Sequence, residues 1–419
     1  MFFNRIILNQ IEEALKYFPV VLLTGARQVG KSTLSAKLIE NYITFDDINI
    51  YISATADPVM FIKTIKKPVV LDEIQKIPQI FETIKYDIDK NRINGSYLLT
   101  GSANVLTFKK TADTLAGRIA LLELYPLSSK ELSNKNENII DILFDGKFSS
   151  NNNDKIKYQF INNNIGNQAN EIKHNKIINQ IIIGGYPEIQ KIDSEKARRI
   201  WFSSYISTYI ERDIRDIGEL RNLDKFIKMY NILSSRSANI LNKADISKDA
   251  DIDGKTLDNY LKLLEAVYQI YFLNPYSANI NKRFIKSQKL FFTDSGVLSY
   301  LLGVSSEEDF ANSHYKGAIF ETFIFSELLK SAKYSNKLTK LFFYRTADKK
   351  EIDFIIERNQ KIIAVEVKLS QTVTLKDFKN IIDLKNSSKN FKAGFVFYAG
   401  EDILPFGEDI FAIPVGLLF

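Results

Sequence analysis

Short, unbroken apolar runs punctuate the first third of the chain: PVVLLTG at 19–25, YITFDD at 42–47, PVVLDEI at 68–74, SYLLTGS at 96–102 and IALLEL at 119–124. Segments with helical spacing lie between them. Runs that do not alternate apolar with polar residues predict strands covered on both faces, hence a parallel sheet between layers of helices. Ahead of the first run, MFFNRIILNQIEEALKYF places Ile7, Ile11, Ala14, Leu15 and Phe18 near one face. It also carries Arg5, Glu12, Glu13 and Lys16. This reads as an amphipathic helix and not as a signal peptide.

The pattern changes beyond this α/β unit, which spans 1–132. Residues 133–176, with SSNNNDK and NNNIGNQANEIKHN, are too rich in asparagine to bury much surface and predict an excursion at the protein exterior. Order resumes with IIIGGYPEI, and 195–218 predicts a long helix, so that 177–221 reads as a helical continuation of the first unit. Residues 222–293 predict helices over 223–235, 243–250 and from Lys255, then strand YFLNPY, a basic loop and strand LFFTD. Three helices followed by a two-stranded wing form the winged-helix pattern. Residues 294–419 predict helices at 295–302 and 317–333 and strands at 341–345, 351–357, 361–368 and 393–398, a mixed α/β domain.

Composition narrows the chemistry. The 419 residues include no cysteine and only two histidines, His174 and His314, which are expected to be ordinary surface or packing residues. Disulfides, thiolate metal sites and thiol nucleophiles are therefore excluded, and any metal must rest on oxygen ligands, favouring magnesium or manganese. The absence of cysteine suits a reducing, cytoplasmic location. No apolar run reaches the length of a membrane span. The net charge of +6 permits a nucleic-acid partner without demanding one.

Gly25-Ala26-Arg27-Gln28-Val29-Gly30-Lys31-Ser32-Thr33 has the spacing G-x-x-x-x-G-K-[ST], follows a buried strand and opens a helix. Backbone N–H groups of such a loop cradle phosphate, helped by the helix N-terminus. Lys31 is expected to reach the β- and γ-phosphates of ATP, and Ser32 to ligate Mg2+. In PVVLDEI the apolar run carries Asp72 to the strand end as a second holder of the magnesium, with Glu73 beyond it to polarise the attacking water. The run at 96–102 ends in TGSAN, where Ser102 first and Asn104 second could sense the γ-phosphate, or the segment is a plain turn. Arg118 precedes the fifth run and is either an arginine finger for a neighbouring subunit or a surface residue.

These motifs, GARQVGKST, LDEIQ and LTGSAN, together with LAGR, YPLSSKEL, GGYP and YIERDI, resemble the bacterial and archaeal AAA+ ATPases that end in a poorly characterised C-terminal domain. The resemblance implies ATP binding and a module able to form homo-oligomers. Near the C-terminus, Glu321 on a helix, Asp353 on a strand and Glu366-Val367-Lys368 on the next strand follow an order that resembles the PD-(D/E)xK nuclease superfamily, with Ile352 where the motif has proline. Asp353 and Glu366 would bind Mg2+ or Mn2+, Glu321 would support them, and Lys368 would stabilise negative charge. The alternative is an inactive scaffold that binds a partner and answers to the ATPase. In the winged helix, Lys255, Thr256, Asn259 and Lys262, and the basic residues Lys282, Arg283, Lys286 and Lys289, are candidate DNA contacts; an interdomain module with a solvated rim is the alternative.

Overall fold

The computed structural model describes residues 3–101, 115–146, 170–210, 222–277 and 287–418. Helix α1 (Leu8–Tyr17) leads into strand β1 (Val20–Thr24), then α2 (Lys31–Leu38), β2 (Tyr42–Thr44), β3 (Val69–Asp72), α3 (Ile80–Lys90), β4 (Tyr97–Thr100) and β5 (Ile119–Glu123). The five strands are all parallel, in the order β2-β3-β4-β1-β5. Each expected run supplies one strand. The two-sided burial is visible within β1. Val21 and Leu23 join a core with Ile7, Ile11 and Leu34, while Val20 and Leu22 join one with Ile80, Ile84 and Ile88. Phe18, expected on the buried face of α1, remains 37% exposed because the chain is already extended there.

Helices α4 (Asn170–Ile183) and α5 (Glu195–Ser204) follow. The helix expected over 195–218 passes into a π-helical turn at Tyr205–Ile210, and its remainder lies outside the described residues. Next come α6 (Leu223–Ser234), β6 (Asn239–Ile240), α7 (Lys243–Ala250), α8 (Gly254–Ala266), β7 (Ile270–Leu273) and β8 (Lys289–Phe292). The strands form an antiparallel sheet in the order β6-β8-β7. Asp253 caps α8 through a bond from Thr256 N–H (2.9 Å).

The last unit contains α9 (Ser295–Leu301), α10 (Lys316–Lys333), β9 (Thr339–Arg345), β10 (Glu351–Arg358), β11 (Lys361–Lys368), α11 (Lys379–Ser387), β12 (Phe391–Tyr398), β13 (Leu404–Gly407) and β14 (Ile410–Pro414). Its six-stranded sheet runs β13-β14-β12-β11-β10-β9. The β10–β11 hairpin turns through Asn359 and Gln360, both left-handed (φ 49° and 63°), a two-residue turn whose twist matches the strands it joins. Strands β13 and β14 were not anticipated from the pattern.

Helix α10 organises the interior. From Ile319 to Ser331 only Glu321 escapes full burial, so the helix is covered on every side. The Phe325 ring stacks on Phe291 of β8 (4.2 Å, 14°) and faces Phe354 of β10. Its buried Lys330 donates to Glu327 (2.9 Å) and to the Leu127 carbonyl (3.0 Å), and Glu327 accepts the Ser129 N–H (2.9 Å). These bonds tie α10 to the segment that leaves β5. Among the described residues no helix is long and apolar enough to cross a membrane.

Phe325→Ala removes a ring shared by β8, α10 and β10. It should destabilise the protein by about 3–5 kcal/mol, the usual cost of deleting a core aromatic. Urea denaturation followed by circular dichroism checks this, and an unchanged midpoint would contradict the central position of α10.

Candidate nucleotide site and carboxylate cluster

Strand β1 ends in the loop 25–30, and the loop's shape depends on its glycines. Gly25 has φ +148°, and a Cβ there would lie 2.1 Å from the Leu124 carbonyl oxygen. Gly30 is left-handed at the start of α2. Lys31 is 5% exposed and donates to the Gly25 (3.0 Å) and Ala26 (2.8 Å) carbonyls, so its ammonium sits at the loop it is expected to serve.

Asp72, at the end of β3, is buried and collects hydroxyl donors. Ser32 reaches its two oxygens at 3.2 and 3.0 Å, Tyr42 at 2.5 Å, and Thr100 bonds it from the end of β4. Burial and the bond to Asp72 push the Tyr42 phenol well above its ordinary range. Glu73 is left-handed (φ 56°), which turns its side chain out of the strand direction, and Gln75 donates to it. A cavity of about 380 Å³ is lined by Arg27, Gln28, Gly30, Lys31, Ser32, Thr33 and Glu73 on one side and by Pro187, Glu188 and Lys191 on the other.

The second wall is held by the GGYP turn. Gly184 (φ +74°) packs so closely on Asp294 that a Cβ would lie 2.2 Å from its Oδ1, and Gly185 N–H donates to Asp294 Oδ2 (2.8 Å). Sequence reasoning missed Tyr42 and Thr100 as partners of Asp72, and Glu188 and Lys191 as wall residues. Tyrosine and threonine at strand positions read as ordinary sheet residues, and Glu188 lies more than a hundred residues from the loop.

Ser102 and Asn104 lie outside the described residues. Arg118 is at the amino end of β5, where its carbonyl accepts the Val20 N–H (3.4 Å) and its guanidinium pairs with Asp89 (2.6 Å). The loop 25–30 leaves the opposite end of β1, about 13 Å along the strand, so Arg118 does not face its own loop.

In the last unit the hairpin brings the expected carboxylates together. Asp353 Oδ2 accepts the Val367 N–H (2.8 Å), and Lys368 pairs with Glu366 Oε1 (2.9 Å). Glu321 completes the group through a residue assigned elsewhere by its sequence context. Lys289, expected in the basic wing, is buried at the start of β8. It donates to Glu321 Oε1 (2.5 Å) and stands 3.7 Å from Asp353 Oδ1. The KSQKLFF context resembles a solvated loop because the acids it meets lie far along the chain. Lys282, Arg283 and Lys286 lie outside the described residues, whereas Lys255, Asn259 and Lys262 are exposed on α8.

Burial, with Asp353 nearby, pushes Glu321 up to about 8 against the pull of Lys289. Burial and Asp353 likewise push Glu366 up to about 7 against Lys368. Glu366 Oε2 is a buried oxygen without a hydrogen-bond partner. Among the described residues no three acidic or histidine side chains converge as a metal site.

Comparison with known proteins gives matches to three successive segments. Residues 17–133 match an AAA domain. The N-terminal unit is an AAA-type P-loop domain. Beyond the AAA domain, residues 174–308 and 316–418 match two domains of unknown function, DUF8612 and DUF4143. Similar chains include an uncharacterized protein of Mycobacterium tuberculosis, 24% identical over 97% of this chain and 82% of its own length. Another, from Methanocaldococcus jannaschii, is 27% identical over 93% and 84%. A Walker-type ATPase of Pyrococcus abyssi superposes with a TM-score of 0.40 at 18% identity, over 72% of this chain and 96% of that one.

Lys289→Met leaves buried acids without their ammonium and should destabilise the protein by about 3–5 kcal/mol. Adding Glu321→Gln should recover part of the loss, because the pair then disappears together. Chemical denaturation of both variants measures this; a double variant no better than the single one would remove the Lys289–Glu321 pair from the account.

Proposed function

We propose that the chain binds and hydrolyses ATP at its AAA domain and uses that cycle to control a nucleic-acid-processing C-terminal domain. The observation that carries the ATP reading is the convergence of Lys31, Ser32 and Glu73 on one cavity, with Asp72 hydrogen-bonded to Ser32 behind it. Gly25 to Thr33 would cradle the phosphates, with Lys31 exchanging loop carbonyls for β- and γ-phosphate oxygens. The Ser32 hydroxyl against the Asp72 carboxylate suits Mg2+, which would be held by Ser32 directly and by Asp72 through water and would neutralise phosphate charge. Glu73 would orient and deprotonate the attacking water, with Gln75 steadying its carboxylate. Ser102 remains the candidate γ-phosphate sensor, and Arg118, facing away from its own loop, would act on a neighbouring copy in an oligomer.

The unit at 222–293 is read as a winged helix, with Lys255, Thr256, Asn259 and Lys262 of α8 turned to DNA. The unit at 294–419 is read as a PD-(D/E)xK nuclease-like domain. The unpartnered Glu366 Oε2 beside Asp353 supports a divalent ion, Mg2+ or Mn2+, held by these two residues. Lys368 would stabilise charge at the scissile phosphate, and Glu321 would support the cluster. A second reading has its own observation. The Lys289 ammonium already lies between Glu321 and Asp353, which suits a domain that has kept the fold as a binding module under ATP control.

For the ATPase, Lys31→Ala should weaken ATP binding by at least about tenfold, as expected for loss of a charged contact. Glu73→Gln should retain ATP while phosphate release falls by about 10²–10⁴-fold. Mixing Arg118→Ala with Lys31→Ala protein should restore part of the hydrolysis if Arg118 acts between copies. Wild-type turnover by Glu73→Gln would remove Glu73 from the mechanism.

For the C-terminal site, the intact protein should cut plasmid or single-stranded DNA when Mg2+ or Mn2+ is added, and Asp353→Ala should abolish the cutting. Absence of cleavage by the wild type, with ATP hydrolysis intact, would leave the binding-module reading standing.

A further inference from the structure

Arg5, just ahead of α1, is a buried charged residue that neither the nucleotide reading nor the carboxylate cluster uses. Its side chain is 4% exposed and opposes Glu131, 0% exposed, at 3.0 Å. That ion pair alone would satisfy the charge. The guanidinium does more, because Nη1 donates to the Val29 carbonyl (2.7 Å) and Nη2 to the Tyr125 carbonyl (2.6 Å). Val29 lies inside the phosphate loop. Glu131 is itself fixed, accepting the Ile6 N–H and the Ser128 N–H, each at 2.8 Å. Tyr125 is fixed too, its N–H donating to the Tyr334 hydroxyl at the end of α10 (2.9 Å).

The contact with Val29 has a directional consequence. In a trans peptide the C=O and the following N–H point to opposite sides. Holding the Val29 carbonyl against Arg5 therefore turns the Gly30 N–H away from Arg5, and the cavity that Gly30 lines does not include Arg5 in its walls. The lock matters because Gly30 has φ +96°, and glycine tolerates either orientation of its preceding peptide at little cost. Without an external restraint that peptide could present its carbonyl to the phosphates, which would repel them.

We propose that Arg5 is a positioning residue for phosphate binding, which locks the Val29–Gly30 peptide so that the Gly30 N–H faces the phosphates of ATP or ADP. This rests on the reading of loop 25–30 as a nucleotide site. Only arginine has the planar fork to hold Glu131 and two carbonyls together; a lysine can keep the ion pair but not the full set.

The test measures ATP and ADP affinity together with thermal unfolding of the full chain for Arg5→Met, Arg5→Lys, Lys31→Ala and Arg358→Met. Arg358 is a second buried arginine, whose guanidinium bonds Asp141 (2.5 Å), Ser335 and Thr339, none of them in the loop, and serves as the structural control. Arg5→Met should weaken both nucleotides by about 10- to 100-fold, the effect of losing a hydrogen bond from a charged donor. Arg5→Lys should fall between it and the wild type, and decides the matter if Arg5→Met does not fold. Arg358→Met should lower the unfolding midpoint but leave affinity within about twofold, as distant sites usually do. If the Arg5 variants unfold earlier yet bind as tightly as wild type while Lys31→Ala does not, the positioning role is overturned and Arg5 is structural. If Lys31→Ala also binds as wild type, the phosphate-site reading has failed and takes the proposal with it.

Discussion

The burial of α10 constrains the whole molecule. A helix covered on every side must find a partner inside the protein for each polar group it carries. Thr322 meets the Ser237 hydroxyl (2.9 Å), Glu321 meets Lys289, and Glu327 and Lys330 meet each other and the backbone at 127–129. Those partners come from the segment after β5, from the turn after α6 and from β8. The same helix therefore joins the AAA domain, the helical unit with its small antiparallel sheet, and the six-stranded sheet. Its aromatic contacts fill the space between these polar links, with Phe325 against Phe291 and Phe354.

The candidate nucleotide site applies the same logic on a smaller scale. Asp72 is a buried carboxylate with three hydroxyl partners drawn from α2, β2 and β4. The parallel sheet makes this convergence geometrically simple, since all its strands end on one side and β4 stands between β1 and β3. The opposite wall comes from a turn anchored on Asp294, which also caps α9 through the Gly296 and Val297 N–H groups (2.9 and 3.1 Å). A shift of α9 against the AAA domain would thus be felt at the cavity wall. The other tie is Tyr334, at the C-terminal end of α10, which reaches the Tyr125 backbone beside Arg5. Both connections are hydrogen bonds: one holds the cavity wall, and the other leads through Tyr125 and Arg5 to the Val29 carbonyl of loop 25–30.

How far the sequence could be read depended on the range of the interaction. The central strands β1, β3 and β4 were legible because two-sided burial writes a continuous apolar run at each one; the edge strands β2 and β5 carry such runs but are only partly buried, because each has a neighbouring strand on one side alone. The shape of loop 25–30 was legible because it is local: its glycines, Lys31 and Ser32 fall within nine consecutive residues. The β10–β11 hairpin was legible from its short polar turn, and with it the meeting of Asp353, Glu366 and Lys368. Strands β13 and β14 were not, because the stretch around Pro405 and Pro414 lacks a sustained strand pattern. Lys289 was misplaced because a lysine among lysines reads as solvated until the acids opposite it are known.

The sequence by itself determined the parallel AAA-type sheet, the glycine-bounded loop 25–30 and the placing of two carboxylates on neighbouring strands. Each of these is set by spacing along one or two adjacent elements. Only the tertiary structure decided that Lys289 enters the acidic cluster, that Tyr42 and Thr100 hold Asp72, and that Arg5 reaches Val29. Those contacts join residues many tens of positions apart, and their partners are chosen by packing, through the requirement that every buried charge and polar group find an opposite number.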